Sequence, residues 1–140
     1  MLAGRASCQP GGMAVRCLLV DDNPGFLQIA RKTLESGGFA VVAVATDSAD
    51  AMRYARQDRP EVALVDVELG AESGFDLARQ LAGGDPAEPI QIIMISTHAE
   101  EDLADLLAAS PAIAFLPKWE LSAAAVHGLL RGGSQHQPGW

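Results

Sequence analysis

With 140 residues, 49% of them apolar, the chain has the size and hydrophobic content of one domain with a full core, which excludes a disordered polypeptide. A net charge of −8 and the lack of any basic patch argue against binding a polyanion such as nucleic acid. No apolar run approaches the ~20 residues of a membrane span, and residues 1–12 hold no continuous apolar stretch of the kind a secretory signal needs, so a cytoplasmic protein is expected.

Residues 1–13 contain Arg5, Pro10 and paired glycines and read as a flexible leader, with Met1 or Met13 as the native start. Cys8 falls in this leader and Cys17 in an apolar run, so no disulfide is expected and a reducing compartment fits. Val15–Val20 reads as a strand buried on both faces. Asp22-Asn23-Pro24-Gly25 is turn and helix-start chemistry. Phe26, Leu27, Ala30 and Leu34 then recur at helical spacing until Gly37-Gly38 stops the helix. Phe39–Ala45 is β-branched and strand-like. Asp47 or Ser48 can cap a helix that runs through Met52, Tyr54 and Ala55 and ends before Pro60. Val62–Val65 is a third strand, and Gly74–Leu81 a short helix closed by Gly83-Gly84. Ile90–Ile95 is a fourth strand. Glu100–Ala109 carries Leu103, Leu106 and Leu107 on what reads as a core-facing stripe, behind an acidic first turn that complements the helix dipole. Ile113–Leu116 is a fifth strand. Leu121–Leu130 is a last helix, with Ser122 as its cap, and residues 131–140 read as a disordered tail.

Five short apolar strands alternating with helices imply a parallel sheet covered on both faces, and right-handed crossovers leave few topologies for it. Such doubly wound α/β folds place their functional site at the carboxyl ends of the strands. That rule draws attention to five polar residues. Asp21 and Asp22 follow the first strand, Asp66 the third and Ser96 the fourth, and Lys118 comes just after the fifth. Either aspartate element alone is ordinary loop chemistry. Together, three carboxylates raise one another's pKa and burden the fold unless a cation neutralises them. Hard carboxylate oxygens suit Mg²⁺, and no His/Cys cluster has the ligand spacing of a zinc site. A metal beside an aspartate invites phosphoryl transfer: the carboxylate can form an acyl phosphate, with Mg²⁺ and a lysine offsetting charge and a hydroxyl donating to the phosphoryl oxygen.

The chain resembles the receiver domains of bacterial two-component response regulators. The resemblance rests on Leu18-Leu19-Val20-Asp21-Asp22-Asn23, Leu64-Val65-Asp66-Val67-Glu68-Leu69, Ile95-Ser96-Thr97 and Phe115-Leu116-Pro117-Lys118, in that order across residues 14–130. It implies a flavodoxin-like (βα)5 fold with strand order 2-1-3-4-5. It further implies that Asp66 is the phosphoacceptor, that Asp22 holds Mg²⁺ directly and Asp21 through water, and that the backbone carbonyl of Glu68 is another ligand. By the same resemblance Ser96 is the switch hydroxyl, Phe115 the switch aromatic and Lys118 the phosphate-contacting lysine, serving the phosphorylated state rather than the fold. The implied partners are a histidine kinase or phosphotransfer protein and a downstream protein target met through Glu100–Leu130, a face that also allows a homodimer; no nucleic acid or membrane is expected.

The chain departs from the family pattern in places. Leu69-Gly70 stands where many receivers carry Met-Pro, so a more mobile loop is expected there. Trp119 follows the lysine where a proline is common, as a partner contact or a half-buried loop residue. Pro111 stands where Ala or Gly is usual. His98 is a rim residue that influences attacking water or, more simply, a solvated loop histidine, and His127 is a surface residue. Two other functions fit parts of the pattern. A haloacid-dehalogenase-type phosphatase also forms an aspartyl phosphate, but it uses Asp-x-Asp where this chain has adjacent Asp21-Asp22. A pseudo-receiver would bind partners without phosphorylation, and the complete residue set speaks against it. The expectation is thus a self-phosphorylating and self-dephosphorylating switch rather than a turnover enzyme, either standing alone or as a piece of a longer regulator.

Overall fold

The computed structural model describes residues 14–84 and 87–132, so the expected leader, and the expected tail from 133 onward, lie outside the described residues. Five parallel strands form the sheet: β1 (Arg16–Val20), β2 (Ala40–Ala45), β3 (Val62–Asp66), β4 (Gln91–Ser96) and β5 (Ala114–Pro117). Their order is β2-β1-β3-β4-β5, as expected. The helices are α1 (Pro24–Ser36), α2 (Ser48–Asp58), α3 (Gly74–Ala82), α4 (Ala104–Ala108) and α5 (Ala123–Gly132). The last runs two residues into the segment read as tail.

Two apolar layers flank the sheet. Leu18, Val20, Ala63, Val65, Ile92, Met94 and Phe115 pack with residues of α2 and α3. Cys17, Leu19, Val62, Leu64, Ile93, Ile95 and Leu116 pack on the other face with Leu27, Ala30, Leu34 and Val126 of α1 and α5. The alternation explains why the strands are apolar at every position: each successive side chain enters a different core. Burial pushes the Cys17 thiol up to about 12, so it is a packing residue and not a nucleophile.

The helix caps follow the sequence. The Asn23 side chain accepts the N–H groups of Gly25 and Phe26, and that of Asp47 accepts the N–H of Asp50. Ser122 Oγ accepts the N–H of Ala125. The chain leaves α1 through Gly38, whose φ of +97° suits glycine.

Four readings change. Glu100–Ala109 is not one helix: Glu100–Leu103 is a 3-10 turn, and only Ala104–Ala108 is α-helical. The tighter winding turns the leucine stripe off register. Leu103 and Leu107 still reach the core, but Leu106 is exposed. His127 is no bare surface residue, because its ring stacks on buried Phe39 with centroids 4.1 Å apart. Trp119 is exposed rather than half-buried. Finally, Glu68–Leu69 and Glu72–Ser73 form a small antiparallel ribbon. Gly70 takes the first position of its two-residue turn at φ +62°, the place where a tight hairpin asks for glycine. Glycine there builds a turn instead of loosening a loop.

Candidate functional site

Strand register brings the site together. Val20 pairs with Val65, so Asp21 leaves β1 level with Asp66 at the end of β3. Asp66 lies opposite Ile95, which puts Ser96 one step beyond it, and Ser96 lies opposite Pro117, which delivers Lys118 next. The pairing continues past the strand ends, through Asp21 N–H to the Ala45 carbonyl at 3.1 Å and Val67 N–H to the Ile95 carbonyl at 2.9 Å. The site is therefore built on rigid strand ends at the point where the strand order reverses.

Among the described residues, the buried polar or charged ones are Asp21, Asp66 and Ser96. Their meeting at one sheet edge is uncharacteristic of packing and characteristic of a site. Asp21 Oδ1 accepts the Asn23 N–H at 2.8 Å, and Asp66 Oδ1 accepts the Glu68 N–H at 3.1 Å. The Lys118 ammonium lies 2.6 Å from Asp21 Oδ2 and 3.1 Å from Asp66 Oδ2. Ser96 Oγ accepts the His98 N–H at 2.9 Å. Asp22 is exposed at the mouth. Across the rim, His98 Nε2 meets Glu68 Oε2 at 3.1 Å, so this histidine is paired and not simply solvated. Phe115 is buried on β5 beside Met94.

The electrostatics follow from burial. Desolvation raises the Asp66 carboxyl above its ordinary value, and the nearby Asp21 charge adds to this, while the Glu68 N–H and Lys118 oppose it. For Lys118, burial pulls the pKa down, but hydrogen bonding and charge from Asp21 and Asp66 outweigh it and leave the ammonium above its usual value. Lys118 is thus a cation wedged between two buried anions before any phosphoryl group arrives, and it bears on the fold as well as on a phosphorylated state. Breaking a fully buried pair costs about 3–5 kcal/mol. Lys118 keeps some contact with water, so Lys118→Ala should destabilise the metal-free protein by about 1–2 kcal/mol in urea titrations. An unchanged midpoint would show that the pair contributes nothing to folding.

The carboxylates also suit a metal. Oxygens of Asp21, Asp22 and Asp66 all lie within 4.8 Å of one another. Asp21 Oδ2 is buried and has no hydrogen-bond partner, although the Lys118 ammonium is close. A buried carboxylate oxygen that is ion-paired to Lys118 and grouped with two other carboxylates completes a donor set of hard anionic oxygens, which a divalent cation such as Mg²⁺ matches.

Glycine permits the close packing around this cluster. A Cβ on Gly74 would lie 1.9 Å from the Asp66 carbonyl oxygen, so α3 can dock against the end of β3 only because residue 74 has none. Neither this contact nor the approach of Phe26 to Lys118, with the ammonium 4.5 Å from the ring centroid, was legible in the sequence. No local signal marks them: the first depends on how α3 folds back onto the end of β3, and the second joins segments far apart along the chain.

Comparison with known proteins bears on the family and the fold. The family described as the response regulator receiver domain matches residues 17–126. The protein PilH of Pseudomonas aeruginosa is 33% identical over 86 residues, covering 61% of this chain and 70% of its own length. Response regulator MprA of Mycobacterium tuberculosis is 32% identical over 106 residues, covering 76% of this chain and 45% of MprA. The chain likewise spans 41% of TcrX from the same species, described as a probable transcriptional regulatory protein, at 31% identity over 69% of this chain. Among solved structures, the signal receiver domain of NarL from M. tuberculosis superposes with a TM-score of 0.75 at 26% identity, over 89% of this chain and 100% of that one.

Proposed function

The chain belongs to the response regulator receiver family, and from that premise we propose that it is a phosphoacceptor switch: a histidine kinase or phosphotransfer protein donates a phosphoryl group to Asp66, and a protein-binding face changes in response. The observation that supports this most is the convergence of buried Asp21, Asp66 and Ser96 at one sheet edge, with Lys118 touching both carboxylates. In the transfer, an Asp66 carboxylate oxygen attacks phosphorus. The bond from phosphorus to the donor imidazole nitrogen breaks, its electron pair stays on that nitrogen, and an acyl phosphate forms. Lys118 is placed to meet an oxygen of the incoming group. Ser96 Oγ accepts from the His98 N–H, which leaves its own proton to donate to a phosphoryl oxygen. Mg²⁺ held by Asp21, Asp22, Asp66 and the Glu68 carbonyl would offset the charge on the transferred group.

In this reading Ser96 and Phe115 couple the site to Glu100–Leu130, through a shift between two populated states. The target is a downstream protein or a second copy of the chain rather than nucleic acid, and a cytoplasmic setting belongs to the same reading. Incubation with acetyl phosphate and Mg²⁺ should label one residue per chain. Continuous consumption of donor without an adduct would point to a phosphatase of haloacid-dehalogenase type, and neither adduct nor consumption would overturn the proposal.

The metal makes its own prediction. A ligand that binds only the folded state at 100 times its dissociation constant stabilises it by about 2.7 kcal/mol. Mg²⁺ should therefore raise the melting temperature of the wild type, and Asp22→Ala should respond far less. An equal rise in the variant would remove Asp22 from the site.

A further inference from the structure

We propose that Phe26 is a positioning residue for phosphoryl transfer: its ring face holds the Lys118 ammonium between Asp21 and Asp66. The inference rests on the phosphoacceptor reading above and adds to it a residue outside the polar set. An ammonium has three N–H groups. Here one is directed at Asp66 Oδ2, 3.1 Å away, and Asp21 Oδ2 lies 2.6 Å from the same nitrogen. The third side faces the Phe26 ring, whose centroid is 4.5 Å from the nitrogen, well inside the range of a cation–π contact. Only 14% of the Lys118 side chain is exposed. The ring thus covers the direction in which the lysine would otherwise swing toward water.

The local sequence makes the ring part of the site. Asp21 Oδ1 accepts the Asn23 N–H, and Asn23 Oδ1 in turn accepts the N–H groups of Gly25 and Phe26. One short stretch therefore supplies a buried carboxylate, the helix cap and the aromatic face, and the cap fixes where the ring stands. When a phosphoryl oxygen arrives at Asp66, Lys118 must reach it without leaving the pocket. A ring on its far side keeps the ammonium in reach, because the quadrupole attracts the cation without competing as a full acceptor with the oxygens that its N–H groups meet.

Phe26 also packs against the α1–α5 core layer, and a purely structural role would need only that. Substitutions separate the two. Phe26→Leu keeps an apolar side chain and removes the π face, whereas Phe26→Tyr keeps the face. Pentafluorophenylalanine at 26 keeps the shape and inverts the quadrupole, and it decides the question if the leucine variant does not fold. We expect Phe26→Leu and the fluorinated variant to label with acetyl phosphate about 3- to 10-fold more slowly at saturating Mg²⁺, and to bind beryllofluoride correspondingly more weakly, with Phe26→Tyr close to wild type. The Lys118 Cε proton signals should lose their ring-current shift in the leucine variant. Wild-type labelling by the fluorinated variant, or equal loss in Phe26→Tyr and Phe26→Leu, would overturn the proposal. Asp66→Asn run alongside keeps the two readings apart. If that variant still labels, the phosphoacceptor reading fails; if it does not and the Phe26 variants behave as wild type, only the role of Phe26 fails.

Discussion

Replacing Asp66 by asparagine should abolish labelling by acetyl phosphate or phosphoramidate and, in metal-free buffer at neutral pH, make the protein more stable. The first effect follows from the chemistry, since an amide oxygen cannot form the acyl phosphate. The second follows from the pocket's charge. Oxygens of Asp21, Asp22 and Asp66 cluster within 4.8 Å of one another, the Lys118 ammonium meets Asp21 and Asp66, and Asp66 is buried at the end of β3. Burial raises its carboxyl above the ordinary value. A carboxyl raised on folding contributes stability that is present in full below its unfolded pKa, about 4, and lost as pH rises through the folded value. Once ionised, Asp66 therefore opposes folding, and an asparagine does not. Asn keeps an oxygen for the Glu68 N–H, and Lys118 keeps Asp21. The stability difference between variant and wild type should close as pH falls toward about 4. Calorimetry across that range in chelator, with mass spectrometry of the donor-treated proteins, tests both halves. Undiminished labelling of the variant would remove Asp66 as acceptor. A variant less stable than wild type at pH 7 would show that the Lys118–Asp66 pair outweighs desolvation.

Gly74→Ala is expected to be the most damaging single-carbon change at this site. The added Cβ would meet the Asp66 carbonyl oxygen at 1.9 Å, the Asp66 carbonyl carbon at 2.8 Å and Val67 Cα at 3.0 Å. All three are backbone atoms of a segment held between β1 and β4, so they cannot swing aside as a side chain could. The helix must retreat instead. That strains the Gly74 N–H bond to the Val67 carbonyl, 2.8 Å long, and lifts buried Phe75, Leu77 and Leu81 from their core. Overpacking of this kind costs about 1–3 kcal/mol and sometimes more. At this chain length each kcal/mol lowers the melting temperature by roughly 3–5 °C. Because the clash is with Asp66 itself, labelling should slow as well, by up to about 100-fold for a displacement near 1 Å. Gly128→Ala is the control. It lies in α5 with nothing within 4 Å of a built Cβ, so it should be neutral or stabilising by about 0.5–1 kcal/mol. Two variants of equal stability would show that α3 moves freely against β3.

These residues differ in how they could be known. The strands, the helix starts at Asn23 and Asp47, and the polar residues at the strand ends were legible in the sequence. A strand buried on both faces must be apolar throughout, and a residue where that run stops is conspicuous. With the crossover rule, that pattern sufficed to send Asp21, Asp66, Ser96 and Lys118 to one edge. Other features exist only once separate elements dock. The contact of Gly74 with the Asp66 carbonyl, the Phe26 ring over Lys118 and the stacking of His127 on Phe39 leave no periodicity behind, because each depends on how two elements dock. The leucines of 103–107 show the converse. Their spacing fits a continuous helix, but Glu100–Leu103 winds as a 3-10 turn and Leu106 faces solvent. Local spacing records which side chains can share a face; only the packed structure decides which face is covered, and whether Lys118 meets its carboxylates before any phosphoryl group is there to attract it.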